Sequence, residues 1–117
     1  MKINSIFERA IRLCGIGEDY YKGNDLLNLK IRALSAINTT LFDLCGLDEC
    51  HTLSEEAEIS PEAANAAVYG TAMFLSLAYG DTDKSELFSA VYNSKRAAVK
   101  SSVSGISDVL PKPEAGQ

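Results

Sequence analysis

The sequence predicts an all-α fold, a small four-helix bundle followed by an extended C-terminal tail. Apolar residues recur at three- and four-residue steps along several segments, which is the period of an amphipathic helix. Capping residues precede these segments, glycines follow most of them, and no pair of strands is evident. We therefore predict helices at about residues 5–14, 25–45, 61–79 and 83–102. The bundle domain spans residues 1–105 and the tail spans residues 106–117.

The first two predicted helices have recognisable boundary signals. Ser5 with Glu8 forms a capping-box pattern at the start of the first helix, and Gly15 follows its end. Asn24 or Asp25 caps the second helix. The apolar stripe of that second helix consists of Leu27, Ile31, Leu34, Ile37 or Asn38, Leu41 and Leu44. This spacing predicts one buried face along the second helix.

The third predicted helix begins with a strong start signal. Ser60 supplies a capping hydroxyl, Pro61 suits the first helical position, and Glu62 lies near the positive end of the helix dipole. Residues 63–80 carry no charge, and apolar or small residues lie on every side of the helix. We therefore expect this helix to be surrounded by protein.

The uncharged stretch is also long enough to be weighed as a membrane span. Asn65, Thr71 and Ser76 dilute its apolar character, and its flanking charges are acidic rather than basic. We therefore favour a buried packing helix and expect no association with a membrane.

The fourth predicted helix opens with a second capping-box pattern, Asp83 with Glu86. On the third helix, Gly70 would let neighbouring helices approach closely because it has no side chain. We predict that six residues of the third and fourth helices pack in the core: Tyr69, Gly70, Ala72, Phe74, Phe88 and Tyr92.

The composition argues against several classes of protein. The chain has 117 residues, of which 46% are hydrophobic and 23% are charged, as expected of one globular domain. A formal net charge of −5 argues against sequence-specific binding of nucleic acid, because Lys and Arg supply most of that affinity. Three cysteines and the lack of a long apolar N-terminal run favour a reducing, intracellular site of synthesis over a secreted disulfide scaffold.

The residue types used in catalysis and metal binding do not form a recognisable set. Cys45, Cys50 and His51, with the distant Cys14, match the spacing of zinc ligands only loosely. The adjacent Cys50 and His51 are poorly arranged for a nucleophile and its base, and the acidic loop lacks the spacing of an EF-hand. We therefore predict no catalytic, cofactor-binding or metal-binding residue and no enzymatic activity.

Charge is distributed unevenly along the chain. Residues 48–62 include acidic residues but no Lys or Arg, whereas the fourth helix carries a basic stripe. These are either two solvated surfaces of one molecule or the two sides of a head-to-tail contact between subunits, which closes into a ring when the rotation allows. The residues of this candidate subunit contact are Glu55, Glu56, Glu58, Lys95, Arg96 and Lys100.

A series of short motifs follows in order along the second half of the chain. They are Ile59-Ser60-Pro61-Glu62, Val68-Tyr69-Gly70-Thr71-Ala72, Leu77-Ala78-Tyr79-Gly80-Asp81, Phe88, Val91-Tyr92-Asn93, Lys95-Arg96-Ala97 and Ile106-Ser107-Asp108-Val109-Leu110-Pro111. Their order and spacing resemble those of the head–tail connector proteins of long-tailed bacteriophages, which are also called head-completion or adaptor proteins. The first two helices match that family only in order and size.

The resemblance implies a non-enzymatic structural protein of the virion, made in the bacterial cytoplasm. Such proteins are small helical bundles that form a ring, usually dodecameric, beneath the portal after DNA packaging. They bind the portal protein on one side and a stopper or tail-completion protein on the other. Their C-terminal segment often engages the portal, which would assign portal docking to Ile106, Val109 and Leu110. The acidic composition would suit a ring that lets DNA pass without holding it.

A different class of function fits the same helices. A bacterial helical-bundle module for regulation or protein interaction would bind a partner helix in a groove, using the apolar face of the fourth helix. Neither reading calls for a cofactor.

Overall fold

The computed structural model describes residues 1–16 and 22–109, with residues 102–109 described as backbone. Four helices follow one another: α1 (Ile3–Cys14), α2 (Asn24–Cys45), α3 (Pro61–Ala78) and α4 (Thr82–Val109). Within these described ranges, extended pairing is limited to one antiparallel bridge between Lys2 and Glu56. The prediction of an all-α fold with four helices is confirmed.

Helix α3 is the central element, and each of the other three helices packs against it. α2 and α4 run antiparallel to α3, whereas α1 runs parallel to it. The contacts of α1 show its direction, because Arg9 donates a hydrogen bond to the Asn65 side chain and, further along both helices, Cys14 donates one to the carbonyl oxygen of Ala72. The central position explains the small residues of α3, since three helices must approach its axis.

The core is built mainly from large side chains of α1 and α2 against small side chains of α3. Its fully buried large members are Phe7, Ile3, Ile6, Leu29, Ile37, Leu41, Leu75 and Val68. Alanines supply much of the buried surface of α3, namely Ala63, Ala64, Ala66, Ala67 and Ala72. This pairing of large with small side chains lets α1 and α2 lie close to the central helix.

The start of α1 differs from the prediction. The helix begins at Ile3 rather than near Ser5, and its N-cap residue makes no side-chain capping bond. The backbone N–H groups of Ile3 and Asn4 instead donate to the carbonyl oxygens of Glu55 (2.9 Å) and Leu53 (2.7 Å). The acidic loop thus satisfies the unpaired donors of α1, a tertiary contact that no local capping pattern indicates.

The start of α4 also differs by one residue from the predicted position. Asp81 caps the helix, because its side chain accepts from the N–H of Lys84 (3.1 Å) and its carbonyl oxygen accepts from the N–H of Ser85 (3.0 Å). The predicted capping residue, Asp83, lies inside the first turn. There its negative charge still interacts favourably with the positive end of the helix dipole.

The predicted end of α4, near residue 102, was too early. The helix continues to Val109 and passes through Gly105, so the predicted boundary between bundle and tail falls inside a helix. One glycine costs a helix only about 1 kcal/mol relative to alanine, which is too little to end it. Pro111 is a stronger stop signal, because it disfavours helical geometry in the residue before it.

Helix α3 starts as predicted but is not surrounded by protein along its whole length. The Ser60 hydroxyl accepts from the N–H of Ala63 (3.1 Å), which confirms the predicted cap. In the second half of the helix, Phe74 is 37% exposed and Leu77 is 58% exposed. None of the helices described is long and apolar enough to cross a membrane.

The apolar stripe predicted for α2 was wrong at its N-terminal end. Leu27 and Ile31 are exposed, by 55% and 57%, while Leu29 and Ala33 are buried. The buried stripe contains Ala33, which is smaller than Leu27 or Ile31, but this stripe faces α1 and α3. Tertiary packing therefore determines which face of α2 is buried. From Ile37 to Leu44 the predicted and observed stripes agree.

Candidate interaction surface

An exposed cleft runs across α2, α3 and α4 on the molecular surface. The second half of α3 forms its floor, and α2 and α4 form its walls. Three adjoining grooves share Phe74, which therefore lies at the centre of the cleft. The other residues lining these grooves include Ile31, Ser35, Thr39 and Phe42 of α2, Leu77 and Ala78 of α3, and Glu86, Ser89, Ala90, Asn93 and Lys100 of α4.

Four of the exposed large apolar side chains among the described residues line the cleft: Ile31, Phe42, Phe74 and Leu77. Among the described residues, the exposed large apolar side chains other than Met1 are Leu27, Ile31, Phe42, Phe74, Leu77, Tyr79 and Leu87. All seven lie on α2, on α4 or in the segment that ends α3. A contiguous apolar surface of this kind marks an interaction site more often than scattered single residues do.

A hydrogen-bonded cluster of three side chains joins the walls at one end of the cleft. Asp43 on α2 accepts from the Tyr92 hydroxyl (2.6 Å) and from the Nε (2.6 Å) and Nη2 (3.1 Å) of Arg96 on α4. The two bonds from Arg96 form a bidentate ion pair, the strongest geometry for a guanidinium and a carboxylate. This cluster holds α2 to α4 where the two helices otherwise make few contacts.

The cluster shifts the protonation of both of its acidic groups. The hydrogen bonds from Arg96 and Tyr92 lower the pKa of Asp43 from 3.8 to about 2. Burial and the hydrogen bond to Asp43 raise the pKa of Tyr92. At neutral pH the cluster therefore contains a carboxylate, a guanidinium and a neutral phenol, which is a structural arrangement without a general acid or base.

The structure gives the three predicted basic contact residues different roles. Arg96 is paired with Asp43 of its own chain. The Nζ of Lys95 lies over the Tyr69 ring, 5.4 Å from its centroid. Lys100 lines the cleft, and its charge also lowers the pKa of Asp43. Lys95 and Arg96 thus already interact with other side chains of the same subunit. A contact with a neighbouring subunit would have to replace those interactions.

The three acidic contact residues differ in the same way. The Glu55 carboxylate accepts from the backbone N–H groups of His51 (2.8 Å) and Thr52 (3.0 Å), so it shapes the loop. The backbone of Glu56 forms the bridge to Lys2, and its exposed carboxylate pairs with the N-terminal ammonium of Met1 at 3.6 Å. Glu58 is exposed. The Glu58 side chain is therefore better placed than those of Glu55 and Glu56 to meet a neighbour.

Five of the six residues predicted to pack in the core lie in or against it. Gly70 and Ala72 are buried, Phe88 and Tyr92 are each 6% exposed, and the half-buried Tyr69 packs against the core. The rings of Tyr69 and Phe88 meet edge to face, with centroids 6.2 Å apart. The prediction for the sixth residue, Phe74, was wrong, because Phe74 lies on the cleft floor rather than in the core.

Gly70 is a point of close approach between three helices. A Cβ atom at this position would lie 2.7 Å from the Cγ2 of Thr40 on α2 and 2.8 Å from the Cε1 of Tyr92 on α4. Both distances are too short for real contacts, so a larger residue fits here only if the Thr40 and Tyr92 side chains, or the helices that carry them, move.

The cysteines and the histidine lie in separate environments. Cys14 is buried between α1 and α3, where burial raises the pKa of its thiol. Cys45 is exposed at the end of α2, and the half-buried Cys50 is held in the loop by two backbone hydrogen bonds to the Asn38 side chain (2.8 Å each). In residues 1–16 and 22–109, no three His, Cys, Asp or Glu side chains are grouped as a metal site.

The residues predicted to dock on the portal lie at the end of the described chain. Ile106 and Val109 belong to the last turns of α4. Leu110 lies outside the described residues.

Sequence reasoning missed Asp43 and the cleft. A signal for the cleft was present, because Phe42 follows Leu41 directly and Phe74 precedes Leu75 directly. Adjacent positions on a helix point in different directions, so one residue of each pair has to leave the buried stripe. Asp43 carried no comparable signal, since its partners lie about fifty residues away on another helix.

No protein-family model matches this chain, and comparison with curated proteins and with solved structures also gave no match.

Proposed function

We propose that this chain is a head–tail connector protein of a long-tailed bacteriophage. In this role it assembles as a ring beneath the portal, carries out no chemistry, and links the head to a stopper or tail-completion protein in the virion. The observation that carries the proposal is the ordered set of motifs from Ile59 to Pro111.

The contacts of the motif residues support the proposal. Gly70 lies against Tyr92, Tyr69 meets Phe88, and Asp81 caps α4. The motifs therefore encode one structural unit, the close antiparallel packing of α3 on α4.

The electrostatic character of the chain is compatible with a ring around DNA. The net charge of −5 disfavours tight binding to phosphates, so DNA would pass such a ring without being retained. The exposed acidic loop and Lys100 offer opposite charges for contacts between neighbouring subunits.

The length of α4 supports a docking role for its C-terminal end. α4 has 28 residues and α3 has 18, which correspond to about 42 Å and about 27 Å of helix. α4 starts beside the end of α3 and runs back along it, so its last turns extend past the start of α3. A segment that projects from the bundle can reach a partner such as the portal without disturbing the core.

The proposal expects a portal gene near this one in the genome, and the test uses the portal protein that such a gene encodes. The purified chain is mixed with portal assemblies, and complexes are separated by sedimentation and viewed by negative-stain electron microscopy. We expect a ring of this chain on the portal, and we expect its loss when residues 106–117 are deleted. A chain with Lys22→Ala serves as the control, because Lys22 is exposed and precedes α2, at the end of the bundle opposite the C-terminal end of α4.

The proposal is wrong if the chain neither forms rings at high concentration nor associates with that portal. Stoichiometric capture of a bacterial protein instead of the portal would favour the regulatory module.

A further inference from the structure

We propose that the cleft binds a second copy of this chain, forming a dimer with two-fold symmetry in which the two clefts face each other. The free protein would then be a dimer in solution. The proposed function assigns no partner to the cleft, although Leu77 and Asn93 lie in the motifs and Lys100 is a proposed ring contact. The first two experiments use the purified chain without a portal and leave Lys100 unchanged, so either proposal can fail while the other stands.

The distribution of exposed apolar residues indicates that the partner is a second copy of this chain. Phe42 on the α2 wall and Phe74 and Leu77 on the α3 floor form an apolar surface in the cleft, and they are 69%, 37% and 58% exposed. In the part of the chain that the structure describes, Ile31 also lines the cleft, and the other exposed large apolar side chains, Met1, Leu27, Tyr79 and Leu87, line none of its three grooves. If a second copy covers this surface with apolar side chains of its own, those side chains must therefore come from its own cleft. A contact between identical surfaces is isologous, and its symmetry is two-fold.

The charges along α4 indicate that the α4 helices of the two copies run antiparallel. Glu86 lines one end of the cleft and Lys100 lines the other, fourteen residues apart, or about 21 Å along the helix. If the α4 helices of the two copies cross antiparallel, each Glu86 meets a Lys100 of the other copy. A parallel arrangement would instead place Glu86 beside Glu86, which is unfavourable.

The residues between these charges allow the two helices to approach closely. Ser89, Ala90 and Asn93 line the cleft from α4, and none is large. Asn93 is midway between Glu86 and Lys100 in sequence, so the two-fold axis passes near it. Position 93 of one copy should therefore lie beside position 93 of the other.

The first experiment compares two leucines of similar exposure. Leu77 lines the cleft, whereas Leu87, which is 61% exposed, does not. We expect sedimentation equilibrium of the purified chain to show a monomer–dimer equilibrium. Leu77→Glu should weaken dimerisation at least ten-fold, and Leu87→Glu should leave it unchanged. Equal melting temperatures of the two variants at concentrations where both are monomeric would show that Leu77→Glu does not act through misfolding.

The second experiment tests the symmetry by disulfide cross-linking. Cys45 and Cys50 are first changed to serine, and Asn93→Cys is then introduced into this background. Mild oxidation should yield a covalent dimer from Asn93→Cys, because only a residue near the two-fold axis meets its own copy. Ala98→Cys is the control, since Ala98 is also exposed on α4 but points away from the cleft. We expect little cross-linked dimer from that variant.

The third experiment reverses the charges. Glu86→Lys and Lys100→Glu should each weaken the dimer, and the chain carrying both changes should dimerise like the unmodified protein. The inference is overturned if the chain remains monomeric at millimolar concentration. It is also overturned if it forms only larger rings in which position 93 does not cross-link.

Discussion

At the scale of single residues, Gly70 sets the distance between three helices. The absent side chain lets Thr40 of α2 and Tyr92 of α4 both approach the α3 backbone. In an unconstrained helix, a change from glycine to alanine stabilises by about 1 kcal/mol. Here we expect Gly70→Ala to lower the free energy of unfolding by about 1–3 kcal/mol, because the added methyl group overpacks the site. Urea denaturation measures this change.

A second substitution serves as the control for Gly70. Thr40→Ser removes the Cγ2 atom that would clash but keeps the hydroxyl, which donates to the carbonyl oxygen of Ala36 at 2.7 Å. Gly70→Ala should therefore cost less in a Thr40→Ser chain than in the unmodified chain. A stabilising effect of Gly70→Ala would contradict the close approach that the structure shows.

Asp43 makes a pH-dependent contribution to stability. Its pKa is about 2 in the folded chain, below the ordinary value of 3.8. A carboxyl group with a lowered pKa stabilises the fold above its ordinary pKa, and this stabilisation is lost as the pH falls toward its folded pKa. We expect the free energy of unfolding to fall between pH 4 and about pH 2 more steeply in the unmodified chain than in Asp43→Asn.

The matched control for Asp43 is Asp48→Asn. Asp48 is an exposed aspartate a few residues further along the chain. This variant should retain the acid dependence of the unmodified protein. The cluster would have no role in stability if Asp43→Asn and Asp48→Asn showed the same free energy of unfolding at pH 7 and the same slope in acid.

At the scale of elements, the second half of α3 has a buried face and an exposed face, and two of its leucines distinguish them. Leu75 is 1% exposed in the core, and Leu77 is 58% exposed on the cleft floor. We expect Leu75→Ala to lower the free energy of unfolding by about 2–5 kcal/mol, because it leaves a cavity. Leu77→Ala should change it by about 0.5 kcal/mol or less in the monomer. Thermal melts at low protein concentration compare the two, and similar losses would show that the cleft floor is buried.

The first turn of α3 depends on one capping hydroxyl. Ser60 accepts from the N–H of Ala63, and Pro61 needs no acceptor because it has no N–H group. We expect Ser60→Ala to lower the free energy of unfolding by about 1 kcal/mol. Ser94→Ala, in the exposed middle of α4, should have no such cost. Equal effects in urea denaturation would mean that the cap does not stabilise α3.

At the scale of the whole molecule, the charged residues divide into those that hold the fold and those free to make contacts between subunits. Glu55 accepts two backbone hydrogen bonds, whereas Glu58 is exposed in the same loop. We expect Glu55→Lys to lower the melting temperature. Glu58→Lys should leave it unchanged but weaken ring assembly on the portal, as measured by sedimentation. Assembly unaffected by Glu58→Lys would exclude this part of the loop from the subunit contact.

The pairing of Lys95 and Arg96 within the subunit also determines how the basic side of the proposed subunit contact should be tested. Reversing Lys95 and Arg96 would remove the ion pair with Asp43 and the contact with the Tyr69 ring, so any loss of assembly would be mixed with a loss of stability. Lys100 is the better position, because it lines the cleft and makes no direct hydrogen bond to another described residue.

The sequence by itself determined the number and order of the helices and the approximate lengths of α1, α2 and α3. These properties follow from local chemistry: apolar periodicity, the capping hydroxyl of Ser60, and Gly15 and Gly46, which adopt the left-handed conformation after α1 and α2. The need for a small residue at Gly70 was also predictable, since a glycine inside a helix carries a cost that close packing can offset.

Only the tertiary structure decided which apolar residues are buried and which charges are paired. Phe74 and Leu77 belong to an uncharged helix, and the sequence offers no reason to leave them exposed until α2 and α4 are seen to flank α3 without covering it. Asp43 meets Arg96 because two distant helices pack against a third. Helix formation depends on neighbours within a few residues, whereas the cleft and the ion pair depend on contacts between distant parts of the chain.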